Sequence, residues 1–172
     1  MKKLYDLANL ILLVLISNTV YAAYPKLAPR IPTHFNFSGN PDRWGGKEGI
    51  VWLAAMAWGM TLIFYLLGHN MRRLNRKPQS LNIPHKEQFL KLSEEKQSIY
   101  WDLIKEFLAG LTAGTNLLWY LLIRGTLRII TGEMSVLSFE TMLPALAVMI
   151  LMLIVYLRRM YTLPGKLVRG EE

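Results

Sequence analysis

Four kinds of polar side chain crowd into one short stretch of this chain: the imidazole of His34, the carboxamide of Asn36, the carboxylate of Asp42 and the ammonium of Lys47. In extended backbone, positions 34 and 36 share one face about 7 Å apart, while Asp42 and Lys47 lie across the intervening turn. Such a set makes an outward-facing recognition site or a weak metal site. The plainer chemistry is structural: Asn36 and Asp42 satisfy backbone groups of a turn, Lys47 lays its apolar stem along a membrane interface, and His34 holds a hydrogen bond. One histidine with one carboxylate falls short of the ligand set of a catalytic zinc site. The chain has no cysteine, which excludes disulfides, thiol catalysis and thiolate metal ligands. No nucleophile and base stand out elsewhere, so the expectation is a binding protein with no metal, no cofactor and no enzymatic activity.

The local backbone that carries these groups is written in proline and glycine. Pro25, Pro29, Pro32 and Pro41, with Gly39, Gly45 and Gly46, exclude a helix across residues 25–48. Residues 31–37 read as a short strand that sends Ile31, Thr33, Phe35 and Phe37 to one face and His34 and Asn36 to the other. Ser38, Gly39, Asn40, Pro41 and Asp42 read as a turn, with Arg43 and Trp44 opening a return strand. The result is a small hairpin, anchored by Trp44 and Trp52 where interfacial aromatics sit.

What holds the hairpin is a membrane-spanning scaffold. Hydrophobic residues make up 52% of the 172 residues and charged ones only 19%, and the charges are clumped. Residues 7–24, 49–68, 107–123 and 141–157 contain none. Each run is long enough to cross a hydrocarbon core of about 30 Å as a helix. The runs are continuously apolar without a period of two, which favours helices over a transmembrane barrel. Four such helices could not all be hidden inside so small a soluble domain. The fold class is therefore an all-α membrane protein of four transmembrane helices with a small extracytoplasmic β-hairpin.

The net charge of +8 is distributed as a membrane protein distributes it. With the N-terminus inside, Lys2, Lys3, the basic residues of 72–105 and those beyond 157 share the cytoplasmic side. Lys26, Arg30, Arg43, Lys47, Arg124 and Arg128 remain outside. This positive-inside bias places both termini in the cytoplasm, in the cell membrane, and suits an anionic lipid surface better than nucleic acid. Residues 1–22 also read as a secretory signal peptide, with Lys2 and Lys3, an apolar core and a small-residue end; a retained helix fits the length of the apolar run better.

The ordered set Pro29, Ile31, Pro32, His34, Phe35, Asn36, Gly39, Pro41, Asp42, Trp44, Gly45 and Lys47 resembles the DUF1648 domain of bacterial membrane proteins. That domain also forms the N-terminal part of SdpI-type immunity proteins. The resemblance implies a multi-pass bacterial membrane protein, in some members protective against a secreted peptide toxin and able to signal. It covers about residues 5–70, two helices and the motif loop 25–48. Within the loop, His34, Asn36, Asp42, Trp44 and Lys47 are the binding candidates, and Pro29, Pro32, Phe35, Gly39, Pro41 and Gly45 the structural motif.

The rest divides into a basic cytoplasmic loop with an amphipathic helix (71–106), a transmembrane helical hairpin (107–160) and a cytoplasmic tail (161–172). Arg72, Arg73, Arg76 and Lys77 make a basic stop before Pro78. Pro84 then opens a polar helix whose Phe89, Leu92, Ile99, Leu103 and Ile104 lie on the membrane surface or cap the bundle, with Ser93 as an N-cap that restarts it. Arg124 and Arg128 share a face near an outer helix end, where arginine snorkels or pairs with Glu133 or Glu140. Gly110 and Gly114 permit close packing, within the bundle in the first instance or between copies in a homo-oligomer. Met149 and Met152 read as lipid-facing or core-filling residues and not as a metal site. Two functions follow: recognition of an extracytoplasmic peptide or toxin at the hairpin, as in SdpI-like immunity, or a small transporter or channel lined by Thr112, Thr115 and Asn116. The second is weakened because no buried carboxylate is expected to accompany them.

Overall fold

The computed structural model describes residues 1–74 and 83–170. Arg76, Lys77 and Pro78 of the expected basic stop lie outside the described residues, as do the side chains of Arg72 and Arg73.

Among the described residues, four helices are long and apolar enough to cross a bilayer: α1 (Lys2–Ala23), α2 (Glu48–Leu74), α4 (Glu94–Ile130) and α5 (Leu143–Arg169). The strands β1 (Arg30–Phe35) and β2 (Pro41–Gly46) form an antiparallel hairpin between α1 and α2, and α3 (Lys86–Phe89) is a single turn before α4. The boundaries follow local chemistry. Pro25, within the 3-10 turn that follows α1, cannot extend the helical ladder. Ser93 caps α4, its hydroxyl accepting from the Lys96 amide, and Glu94 and Glu95 occupy the first turn where the helix dipole favours acids. Pro144 opens α5 and Gly170 closes it in the left-handed region. Residues 161–169, read from sequence as part of a tail, continue α5 as helix.

The central element is α4, which packs on α1, α2 and α5; α1 and α2 touch each other far less than either touches α4. At about 1.5 Å per residue its 37 residues run about 55 Å, well beyond a hydrocarbon core of about 30 Å. Leu10, Ile63, Val148, Leu151 and Ile154 are exposed on the outer surface of the bundle, an apolar coat that belongs in lipid. The packing glycines face inward: a Cβ on Gly110 would meet Met152 Sδ at 2.8 Å, and one on Gly114 would meet Met149 Cγ at 2.5 Å. These two glycines therefore let α5 approach α4 within the chain.

Each end of the bundle has its own cap. At one end Leu13, Ile16 and Val20 of α1, Ile50, Ala54 and Ala57 of α2 and Ile123 of α4 bury Ile31 of the hairpin in a single cluster. At the other, α3 folds Phe89 onto Tyr100 and Trp101, ring centroids 5.2 and 6.2 Å away and steeply inclined, with Leu167 of α5 closing the group. The region around Phe89 thus caps the bundle. Phe89→Leu keeps apolar bulk but loses two edge-to-face contacts of about 0.5–1.5 kcal/mol each. A lowered melting temperature in detergent is the expected result, and an unchanged one would mean the ring geometry contributes nothing.

Candidate functional site: the hairpin and the cavity beneath it

The hairpin departs from strict alternation at Pro32. Pro32 pairs with Trp44 and His34 with Arg43, so Thr33 is passed over and the register shifts again before Phe35. Proline donates no ladder hydrogen bond, and a bulge beside it re-aims the residues that follow. Ile31 and Pro32 are consequently both buried, Thr33 is exposed, and the strand ends at Phe35. Phe37, expected on a packed face, stands fully in the open.

Asn36 lies past the end of β1 and so does not share a strand face with His34 as the spacing implied. Its side-chain oxygen accepts from the Ser38 and Asn40 amides at 2.9 and 3.0 Å, and its own amide donates to the Asn40 carbonyl. This is the turn role that short amides perform. Gly39, at φ 77°, donates to the Asn36 carbonyl and accepts from the Leu137 amide at 2.7 Å. The hairpin tip is thereby tied to the loop between α4 and α5. At the base, the Lys47 amide donates to the Pro29 carbonyl at 3.1 Å, and a Cβ on Gly45 would press on the Thr33 methyl.

Of the four polar candidates, two come together. His34 Nδ1 and Asp42 Oδ1 are 2.5 Å apart across the strands, both about half-exposed. Lys47 turns away and places its ammonium 4.5 Å from the centre of the Tyr24 ring, a cation–π contact. Trp44 is exposed on β2, and Trp52 is exposed on α2. Arg128 reaches Glu133 at 3.2 Å, while Arg124 lies 3.4 Å from the Tyr120 hydroxyl.

Beneath the hairpin is a cavity of about 310 Å³. Ile31, Phe35, Ile50, Leu53, Leu122 and Leu137 supply apolar wall, and His34 reaches it from the hairpin. The site therefore offers a polar, half-solvated pair beside a half-open apolar hollow, walled on one side by a hairpin pinned at its tip and base. Among the described residues, no group of three or more histidine, aspartate or glutamate side chains converges as a metal-ligand set.

Two polar constellations were not evident as such in the sequence. Asn116 donates to Asn9 Oδ1 and to Thr61 Oγ1, both at 2.9 Å, and Asn9 donates to the Ala109 carbonyl, so one buried amide joins α1, α2 and α4. Towards the end away from the hairpin, Glu106 is largely buried and accepts from the Tyr156 hydroxyl, with the N-terminal ammonium at 3.7 Å and Arg159 at 3.9 Å. A carboxylate is thus largely enclosed at the edge of the bundle, where the sequence led to the expectation of none, because Glu106 lies just outside a charge-free run and its burial depends on α1 and α5. Asn9 shares its apolar run with Ser17, Asn18 and Thr19, and nothing in the sequence set it apart from them.

An uncharacterized protein of Archaeoglobus fulgidus is 27% identical over 155 residues, covering 87% of this chain and 83% of its own length. No solved structure matches the chain. Residues 10–58, comprising most of α1, the whole hairpin and the first part of α2, match the family model described as a domain of unknown function, DUF1648, so the hairpin end of this four-helix membrane protein is similar to that domain.

Proposed function

We propose that the hairpin end is a recognition surface for an extracytoplasmic peptide, used in an SdpI-like immunity role. In this reading the protein lies in the cell membrane with both termini in the cytoplasm, and it binds without catalysing a reaction. The observation that carries it is the His34–Asp42 pair standing beside the 310 Å³ apolar hollow. A peptide could present backbone hydrogen-bonding groups to the pair and an apolar side chain to the hollow, the combination of polar fixing point and desolvated pocket on which binding sites rely. The bias of basic residues toward the helix ends opposite the hairpin supports the orientation.

His34→Ala combined with Asp42→Ala is expected to weaken protection of cells against a secreted peptide toxin. A hot-spot loss of about 2 kcal/mol corresponds to roughly a 30-fold shift in the protective range. Unchanged protection at equal protein levels would sink the loop-recognition reading. A second reading, a small transporter or channel, draws on the Asn9–Asn116–Thr61 cluster within the bundle. Solute flux into proteoliposomes separates the two.

A further inference from the structure

Between α1 and α2, with α4 as its floor, runs a groove of about 660 Å³. It exists because both helices pack on α4 and scarcely on one another. It extends from Lys2 and Lys105, at the end away from the hairpin, to Asn9, Thr61 and Thr112 near the middle of the bundle. Seven residues of α4 separate Lys105 from Thr112, about 10 Å of helix, so the groove occupies much of one leaflet's share of a hydrocarbon core about 30 Å thick.

The two ends of the groove differ in what they offer. Deep inside, the polar groups are already engaged: Asn9 with Ala109 and Asn116, Thr61 with Ala57 and Asn116, Thr112 with Leu108. An occupant there meets apolar wall, chiefly Leu13, Phe64 and Leu108, with the exposed Leu10 and Leu62 as lips. At the mouth stand Lys2, Lys105 and His69, with Asp6 the only carboxylate among the described residues that line it. Lys2 is paired with Asp6 and Lys105 with the exposed Asp102. Surface pairs of this kind are weak enough for a phosphate to displace.

We propose that this groove binds one anionic phospholipid of the adjoining leaflet, an acyl chain lying along the apolar wall and the headgroup phosphate held at the mouth by Lys2 and Lys105. Charge complementarity selects the headgroup, since basic residues at a membrane surface favour anionic over zwitterionic lipid. The slit between α1 and α2 lets the chain enter sideways from the bilayer. Nothing in this assignment depends on the hairpin or its ligand.

The test is native mass spectrometry of the purified full chain in detergent, titrated with dioleoyl phosphatidylglycerol and, separately, dioleoyl phosphatidylcholine. One phosphatidylglycerol should be retained with roughly 30-fold preference, the order expected of two lysines at about 1 kcal/mol each. The Lys2→Gln, Lys105→Ala double variant should bring both lipids to the same weak retention. Gly68→Leu, whose added Cβ has ordinary contacts at 3.8 and 3.9 Å but whose branch enters the groove, should reduce retention of both. If a thermal melt shows that variant to be unfolded, Leu62→Trp at the lip replaces it. Equal retention of the two lipids by the parent chain, an unchanged preference in the lysine variant, lipid retained by a blocked groove, or a second protein copy in place of lipid would each overturn the assignment.

Discussion

Replacing Asn116 with leucine is expected to be among the most damaging single substitutions in the bundle, lowering stability by about 2–4 kcal/mol. The side chain is 1% exposed, and its amide donates to Asn9 on α1 and to Thr61 on α2 at 2.9 Å each. Interhelical hydrogen bonds within membranes average well under 1 kcal/mol apiece because the separated helices find other partners. Most of the loss therefore comes from the Asn9 carbonyl, left without a donor in a dry interior, a penalty of about 1–3 kcal/mol. Thr61 suffers less, since its hydroxyl still donates to the Ala57 carbonyl at 2.8 Å. A thermal melt in detergent should shift down by roughly 5–10 °C. The companion variant is diagnostic. Asn9→Leu together with Asn116→Leu removes both partners and should recover part of the loss, whereas additive losses would show that the amides act through separate contacts.

Gly39→Val is expected to release the hairpin from the helices. At φ 77° a β-branched residue is strained by about 1–2 kcal/mol. In addition, the new Cβ would collide with the Leu137 carbonyl oxygen, a backbone atom that cannot rotate away. The hydrogen bond from the Leu137 amide to the Gly39 carbonyl is then lost, at a further cost of about 0.5–1.5 kcal/mol. Gly132 supplies the control. It too has φ 77°, but nothing lies within 4 Å of its Cβ position, so Gly132→Val carries only the backbone strain. Hydrogen exchange at the Leu137 amide and limited proteolysis across residues 30–46 should both accelerate in the Gly39 variant. Equal behaviour of the two glycine variants would refute the anchoring contact. If the hairpin recognises a ligand, the Gly39 variant should lose that function with His34 and Asp42 still in place.

Much of the architecture was legible without coordinates. A helix that crosses a bilayer must satisfy its own backbone and hide its charges, and this makes the span a condition on length and composition along the chain. Four charge-free runs consequently became four helices. Ser93 as an N-cap and a turn through Gly39 were equally readable, because capping and left-handed backbone are local matters, although Pro41 and Asp42, read into that turn, already belong to β2. That Asp42 could join His34 across the turn was readable too, but Asn36 and Lys47, grouped with them by spacing, went elsewhere.

Other features had no local signature. A proline in a strand signals irregularity but not which residue is passed over, and the bulge at Thr33 decided that Pro32 is buried and that Asn36 belongs to the turn. Asn9 and Asn116 are 107 positions apart. A single amide in an apolar run looks the same whether it faces lipid, a cavity or another helix, and the rotation of each helix about its axis resolves that choice. The groove between α1 and α2 is of this kind as well: it arises because two helices share α4 as a partner without closing on each other. Composition and charge along the chain were enough to put it in a bilayer with its polar turn chemistry between the first two helices. Which polar groups meet inside the bundle, and where space is left, came from the packed helices alone, because both depend on side-chain packing between segments far apart in the chain.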